Sequence, residues 1–323
     1  MIALQEQFEG LREHFNGRDL LDFSDYTGAE IMQLLDAAKT LKAMRQQGTP
    51  TPFLQGKSLG MIFDKASTRT RVSFEVGMFE LGGQALYLAS GQTQLGRGEP
   101  LSDTARVLSR YLHAIMIRTF SHESVQSLAN IATIPVINGL TDDHHPCQVL
   151  ADLQTIIEHR GSLEGATMTY VGDGNNMANS LLQICTLVGM NIRIATPPGY
   201  EPNAKVVEQV RINAARSGSE VVITHDVREA ADQSDVIYTD VWASMGQEEE
   251  AAKRQQAFHG YQVDDALMKL AKKEAIFLHC LPAHRGEEVA ESVLEGSQSV
   301  IFDQAENRLH AQKAVLVAVA GSL

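Results

Sequence analysis

The feature that most constrains this chain is an alternation. Short apolar runs of strand length recur between stretches of helical period, punctuated by Gly, Pro and Asn. Four such runs come first, at Leu59–Phe63, Ala85–Ala89, Ala114–Arg118 and Pro135–Asn138. Six follow, at Met168–Val171, Ile192–Thr196, Glu220–Thr224, Val236–Asp240, Ile276–Cys280 and Val300–Phe302. Alternation of this kind predicts an α/β protein with mainly parallel sheets flanked by helices. Ten strands are too many for one compact sheet of usual size, so two domains are expected. The division falls near residue 150: 1–150 form one domain and 151–323 the other. A helix over Pro146–His159, ended by Gly161, bridges them. A last helix over about 305–320 is expected to pack back on the first domain.

Charge removes several classes of partner. The chain carries 27 Lys and Arg against 40 Asp and Glu, a formal net charge of −13. Non-specific nucleic-acid binding needs a basic footprint, so none is expected. A small anion is still allowed, because a local arginine cluster dominates its own site. No apolar run approaches the roughly 20 residues of a spanning helix, so no membrane is expected. The N-terminal "MIALQEQFEGLREHF" is too charged for a secretory signal, and a cytoplasmic protein is the simplest reading. Three cysteines, Cys147, Cys185 and Cys280, make no disulfide framework.

Ligands of open α/β sheets bind at the carboxyl ends of the strands. The polar segments there are Asp64–Arg71, Arg118–Thr119, Asn138–Gln148, Gly172–Asn176, Asp240–Gly246, His279–Pro282 and Asp303–Arg308. In "ASTRTR", Ser67 suits an N-cap and the following residues suit a helix's first turn. Free N–H groups, the positive end of the helix dipole, hydroxyls and the forked Arg69 would together cradle a phosphate. The alternative is an ordinary capped helix with two solvated arginines.

The obvious nucleotide candidate fails. Gly172 and Gly174 match the first two glycines of a dinucleotide fingerprint, but Met177 holds the third position. No acidic residue closes Ile192–Thr196, so no cofactor is expected. Asn175 and Asn176 instead offer amides suited to an amino-acid ligand, or one of them is simply a cap. "DDHHPCQ" crowds metal-ligating residue types, but its spacing matches no standard zinc pattern and no metal is expected. His145 and Gln148 read better as donors to a carbonyl oxygen and partners of an amide. Asp240 suits an ammonium group, and Cys280 is either a small core residue or part of a site.

Together these segments resemble the carbamoyltransferase superfamily, and within it the ornithine branch. The S-x-R-T-R element stands at Ser67–Arg71 and the H-P-x-Q element at His145–Gln148. The D-x-W-x-S-M-G loop stands at Asp240–Gly246 and H-C-L-P at His279–Pro282. "FDQAENRLHAQKAVL" is similar to the family's closing helix with its arginine, here Arg308. The matches run in family order from about residue 18 to the end.

The resemblance implies carbamoyl phosphate and L-ornithine as substrates and a trimer, or a multiple of trimers, as the assembly. It implies that Ser67, Thr68, Arg69 and Thr70 hold the phosphate, with Arg118 as a further contact. His145, Thr70 and Arg118 would polarise the carbonyl oxygen, while Gln148, the Leu281 backbone and Arg308 surround the carbamoyl amide. Asn176, Asp240, Ser244 and Met245 would bind ornithine, with Cys280 and Asp240 beside the attacking amine. Gln94 would belong to a loop reaching a neighbouring subunit's site. That loop lacks the lysine some relatives carry, and Arg97 offers a substitute cation. Arg71 lies beyond the phosphate and reads as structural. Putrescine, aspartate and N-acetylornithine enzymes are the competitors within the class, and a non-catalytic carbamoyl phosphate sensor is the competitor outside it.

Overall fold

A computed structural model describes residues 2–321 except Met245 and Gln247. Two compact units emerge, one built from residues 2–154 and 306–321, the other from Thr155–Ala305. The helices Pro146–Arg160 and Ile301–Ala320 each run through a point where the chain passes from one unit to the other.

The first unit contains strands β1 (Ser58–Phe63), β2 (Gln84–Ala89), β3 (Ala114–Arg118) and β4 (Val136–Leu140). Their order is β2-β1-β3-β4, and every pairing is parallel. β1 beyond Ser58, β3 and all of β4 but Leu140 are buried, which is why their sequences are mostly continuous apolar runs rather than alternating ones. The N-terminal segment adds to this sheet: Leu20 bridges Ile137, and the Leu20 carbonyl accepts from the Asn138 N–H. Helix Ile301–Ala320 belongs to this unit over its later turns, where the Lys313 ammonium meets Glu80 at 2.7 Å. Gly77 leaves room for that lysine, since a Cβ there would come within 3.3 Å of the Lys313 side chain.

The second unit contains β5 (Thr167–Val171), β6 (Asn191–Ala195), β7 (Val221–Thr224), β8 (Val236–Thr239) and β9 (Ile276–His279), in the order β7-β6-β5-β8-β9. All pairings are again parallel. Its core includes Val171, Ile237, Phe258 and Phe277, each essentially fully buried. Burying a side chain of this size is worth about 1.5–3 kcal/mol.

Each sheet reverses its strand order once. The chain goes from β1 outward to β2, then returns to place β3 on the other side of β1. It goes from β5 through β6 to β7, then returns to place β8 on the other side of β5. A crevice opens at the carboxyl ends where such a reversal occurs, and ligands bind there.

One expected strand is absent. Val300–Phe302 does not extend; Ile301 and Phe302 begin the helix Ile301–Ala320. The chain does touch the edge of β9, where the Val300 N–H donates to the Phe277 carbonyl at 3.1 Å. It then coils, burying Ile301 and leaving Phe302 67% exposed. Elsewhere the bounds move by a residue or two, with one consequence. β8 stops at Thr239 and β9 at His279, so Asp240 and Cys280 are the first residues beyond their strands.

Candidate active site

In the first unit the reversal lies between β1 and β3. β1 is followed by helix Thr68–Glu80, and Ser67 is its N-cap, accepting from the Thr70 N–H at 3.2 Å. The cap therefore fixes the first turn, where the remaining N–H groups point out of the helix end. The Ser67 hydroxyl also donates to Thr70 Oγ1 at 3.1 Å, and Thr70 is buried. Thr68 is exposed, Arg69 half-buried. Arg71 points elsewhere: its Nε donates to Glu75 at 3.0 Å and its guanidinium lies 3.8 Å from the centre of the Tyr87 ring. The reading of Arg71 as a structural residue fits those contacts.

Arg118 ends β3 and is 7% exposed. The β3–β4 register slips between Ile117 and Arg118, so that Arg118 pairs with Leu140 and Gly139 is passed over. A Cβ on Gly139 would lie 2.4 Å from the Met116 sulfur, so this irregularity needs glycine. Beyond β4 the loop delivers His145, buried, to the start of helix Pro146–Arg160. Burial, reinforced by the Arg308, Arg118 and Arg69 guanidiniums, holds His145 well below the ordinary imidazole range. It is therefore a neutral imidazole with one N–H to give.

One helical turn later, Gln148 Nε2 donates to Asp152 at 2.9 Å. This orients the amide oxygen toward Arg308, whose Nη1 donates to it at 2.6 Å. Arg308 Nη2 reaches Thr70 Oγ1 at 3.3 Å. Ser67, Thr70, Gln148 and Arg308 thus form one connected network, and His145, Arg118 and Arg69 share its field. Gln94 is not among them. It lies in an exposed loop past β2, with its carbonyl accepting from the Arg97 and Glu99 N–H groups.

In the second unit the reversal lies between β5 and β8. After β5, Gly172 takes φ +151°. Gly174 admits the backbone of Tyr200–Pro202, which a Cβ would meet at 2.3–2.5 Å. Asn175 is the N-cap of helix Asn176–Leu187, accepting from the Met177 and Ala178 N–H groups. Of the two asparagines it is therefore Asn175 that caps, while Asn176 is the first helical residue. Met177, in the third glycine's place, is buried in the helix packing.

Asp240, just past β8, is 7% exposed and held from three sides. Oδ2 accepts from Asn175 Nδ2 at 3.1 Å; Oδ1 accepts from the Val241 N–H at 2.8 Å and from the Cys280 thiol at 3.0 Å. Cys280 is thus neither buried filler nor part of a disulfide. Leu281 follows with φ +56°, a conformation that costs a leucine roughly 1–3 kcal/mol. Its N–H donates to His279 Nδ1 at 2.9 Å. Ser244 is half-buried in the loop after β8; Met245 lies outside the described residues.

Several supporting residues carried no local signal in the sequence. Glu288, fully buried, sits 3.1 Å from His279 Nε2 and accepts from the His284 N–H at 2.6 Å. Arg254 joins Asp173 at 2.7 Å to the Trp242 carbonyl at 2.8 Å, tying the β5 and β8 loops together. Lys65, buried, pairs with Asp142 across the β1 and β4 loops. Only Asp152 was findable, because it stands four residues after Gln148 on one helix face. His279, Asp240 and Cys280 lie close enough to suggest a metal. Both His279 ring nitrogens already have partners in Glu288 and Leu281, so this cluster is better understood as a hydrogen-bonded acid–thiol pair.

The fold and site define an α/β group-transfer enzyme of two units, with a capped helix start flanked by arginines on one parallel sheet and a carboxylate–thiol pair on the other. Residues 18–158 match the carbamoyl-P binding domain of aspartate/ornithine carbamoyltransferase, and residues 164–319 match its Asp/Orn binding domain. An ornithine carbamoyltransferase of Halalkalibacterium halodurans is 58% identical over 94% of this chain and 95% of its own. The solved ornithine carbamoyltransferase of Pyrococcus furiosus is 55% identical, covers 95% of this chain and 98% of its own, and superposes with a TM-score of 0.93. The anabolic enzyme of Campylobacter jejuni is 41% identical, covers 93% and 97%, and superposes at 0.87. The chain belongs to the aspartate/ornithine carbamoyltransferase family.

Proposed function

We infer that this chain transfers the carbamoyl group of carbamoyl phosphate to the δ-amine of L-ornithine, giving L-citrulline and phosphate. The observation that carries the reading is the network joining the capped helix start at Ser67–Thr70 to Gln148 and Arg308 around a neutral His145. Ser67, Thr68, Arg69 and Thr70 hold the phosphate with Arg118; His145, Thr70 and Arg118 face the carbonyl oxygen. Gln148, its amide oriented by Asp152 and Arg308, accepts from the carbamoyl NH2 through its oxygen, and Arg308, Cys280 and Leu281 surround the carbamoyl amide during transfer. Asn176, Asp240, Ser244 and Met245 bind ornithine.

The neutral amine attacks the carbonyl carbon, and the C–N bond forms as the carbonyl electron pair moves onto oxygen. Each preorganised donor to that oxyanion contributes about 3–4 kcal/mol. The pair returns as the C–O bond to phosphate breaks, and the nitrogen loses a proton. The leaving group is a stable phosphate, so no strong acid is needed; Arg69 and Arg118 stabilise its charge. Asp240, with Cys280 donating to it, positions the amine and relays its proton. We also propose that the enzyme is cytoplasmic, serves arginine biosynthesis and assembles as a trimer in which Gln94 and Arg97 reach a neighbouring subunit. Val72, Phe79, Leu86, Val107 and Tyr111, exposed in the first unit, are candidates for such a contact.

A citrulline assay with ornithine, putrescine and N-acetylornithine in parallel tests the substrate. Activity with putrescine and none with ornithine would refute it. Arg69→Ala is expected to weaken carbamoyl phosphate binding at least tenfold by calorimetry, since hydrogen bonds to charged groups are worth roughly 1.5–3 kcal/mol. Unchanged affinity would remove Arg69 from the cradle.

A further inference from the structure

We propose that Asp22, His122 and His144 form a binding site for a transition-metal ion of the zinc class, separate from the transfer chemistry. The three residues are remote in sequence. Asp22 lies in the N-terminal segment that adds to β4, His122 opens helix His122–Ile131 after β3, and His144 precedes His145 in the β4 loop. The fold brings one ligand atom from each within 4.8 Å of the others. Asp22 Oδ2 lies 3.4 Å from His122 Nε2 and 4.0 Å from His144 Nε2. Ligands about 2.0–2.1 Å from a tetrahedral zinc stand roughly 3.3–3.4 Å apart, so the first pair already has the spacing and the second needs a small inward shift.

The surroundings favour a cation over a hydrogen-bonded cluster. His122 Nε2 is buried and faces the Asp22 carboxylate at 3.4 Å, a long contact for a hydrogen bond. The other ring nitrogen, Nδ1, lies 3.2 Å from Thr141 Oγ1. That hydroxyl also accepts the His144 N–H at 3.1 Å and is 3.4 Å from the His144 carbonyl. In the tautomer whose Nδ1 proton is donated to Thr141, Nε2 is the ring nitrogen that offers a lone pair. Nε2 then presents a lone pair to the Asp22 carboxylate, an arrangement a cation resolves. Outer partners of this kind fix the tautomer of metal-bound imidazoles. Asp22 Oδ1 is held by the Ser24 N–H at 2.6 Å, leaving Oδ2 toward the rings. Both imidazoles are about nine-tenths buried while Asp22 remains 13% exposed, so an ion can enter and keep one water. Two imidazoles and a carboxylate suit Zn2+ and, for assay, Co2+.

The experiment uses the full chain after dialysis against chelator. Calorimetric titration with ZnCl2 is expected to show one equivalent bound and a raised melting midpoint, because an ion that binds only the folded state stabilises it. Asp22→Asn and His122→Gln are expected to lose that equivalent, while Cys280→Ala keeps it. With Co2+ the expected spectrum has tetrahedral ligand-field bands and no sulfur charge-transfer band. X-ray absorption on the zinc-loaded, unsubstituted protein gives a reading independent of whether the variants fold: two imidazoles with oxygen. No binding, an equal equivalent in His122→Gln, or sulfur in the zinc shell would each overturn the proposal.

Discussion

Glu288 shows how much of this site depends on residues that never meet a substrate. Its buried carboxylate sits against His279 Nε2, which fixes Nδ1 to accept the Leu281 N–H and so shapes the turn after Cys280. Glu288→Gln keeps the size and removes the charge. It is expected to lower kcat/KM roughly tenfold or more, the worth of a charged hydrogen bond, with the far-UV spectrum unchanged. Wild-type kinetics in that variant would show that the turn holds itself. Ser67, Arg118, His145 and Arg308 were legible because each stands next to a strand end or in a motif. Glu288 and Arg254 were not, because their partners lie nine and 81 residues away in the chain and no local pattern couples them.

At the scale of elements, the parallel sheets were legible from continuous apolar runs, since strands covered on both faces have no reason to alternate. Val300–Phe302 misled for the same reason. Three apolar residues suit a buried strand or a helix start equally, and what decides is whether the last faces outward. Phe302 does, and the segment coils. The loop after β5 is the element most sensitive to one methyl group. Gly174→Ala would drive a Cβ into the backbone of Tyr200–Pro202, which has no side chain to swing aside. It is expected to cost about 1–3 kcal/mol, the usual toll of overpacking, and to raise the KM for ornithine by displacing Asn175 from Asp240. Chemical denaturation and steady-state kinetics check both; unchanged stability would mean that the loop at 200–202 yields freely.

At the scale of the whole molecule, acid sensitivity follows from His310. Burial lowers it to about 4 from 6.5, with Lys313 and Lys42 adding to the effect and Glu306 resisting it. The unfolded chain then binds a proton that the folded chain refuses between those values. Stability from this group is complete above about pH 6.5 and is lost as pH falls toward 4, at up to about 1.4 kcal/mol per pH unit. His310→Gln should flatten that arm, measured as urea midpoints at pH 7 and pH 5; an unchanged difference between the two would assign acid lability elsewhere. The division into two units was readable from strand count alone. The return of the last helix to the first unit was expected as well, although an apolar helical face does not by itself announce its partner, and the residues from Glu306 onward group with that unit. That membership has a consequence for synthesis. Arg308 joins Thr70 across 238 residues, so a chain emerging from the ribosome makes the whole second unit before the turn at Ser67–Thr70 has its last guanidinium. A stalled nascent chain should bind no carbamoyl phosphate until its final helix is free of the exit tunnel.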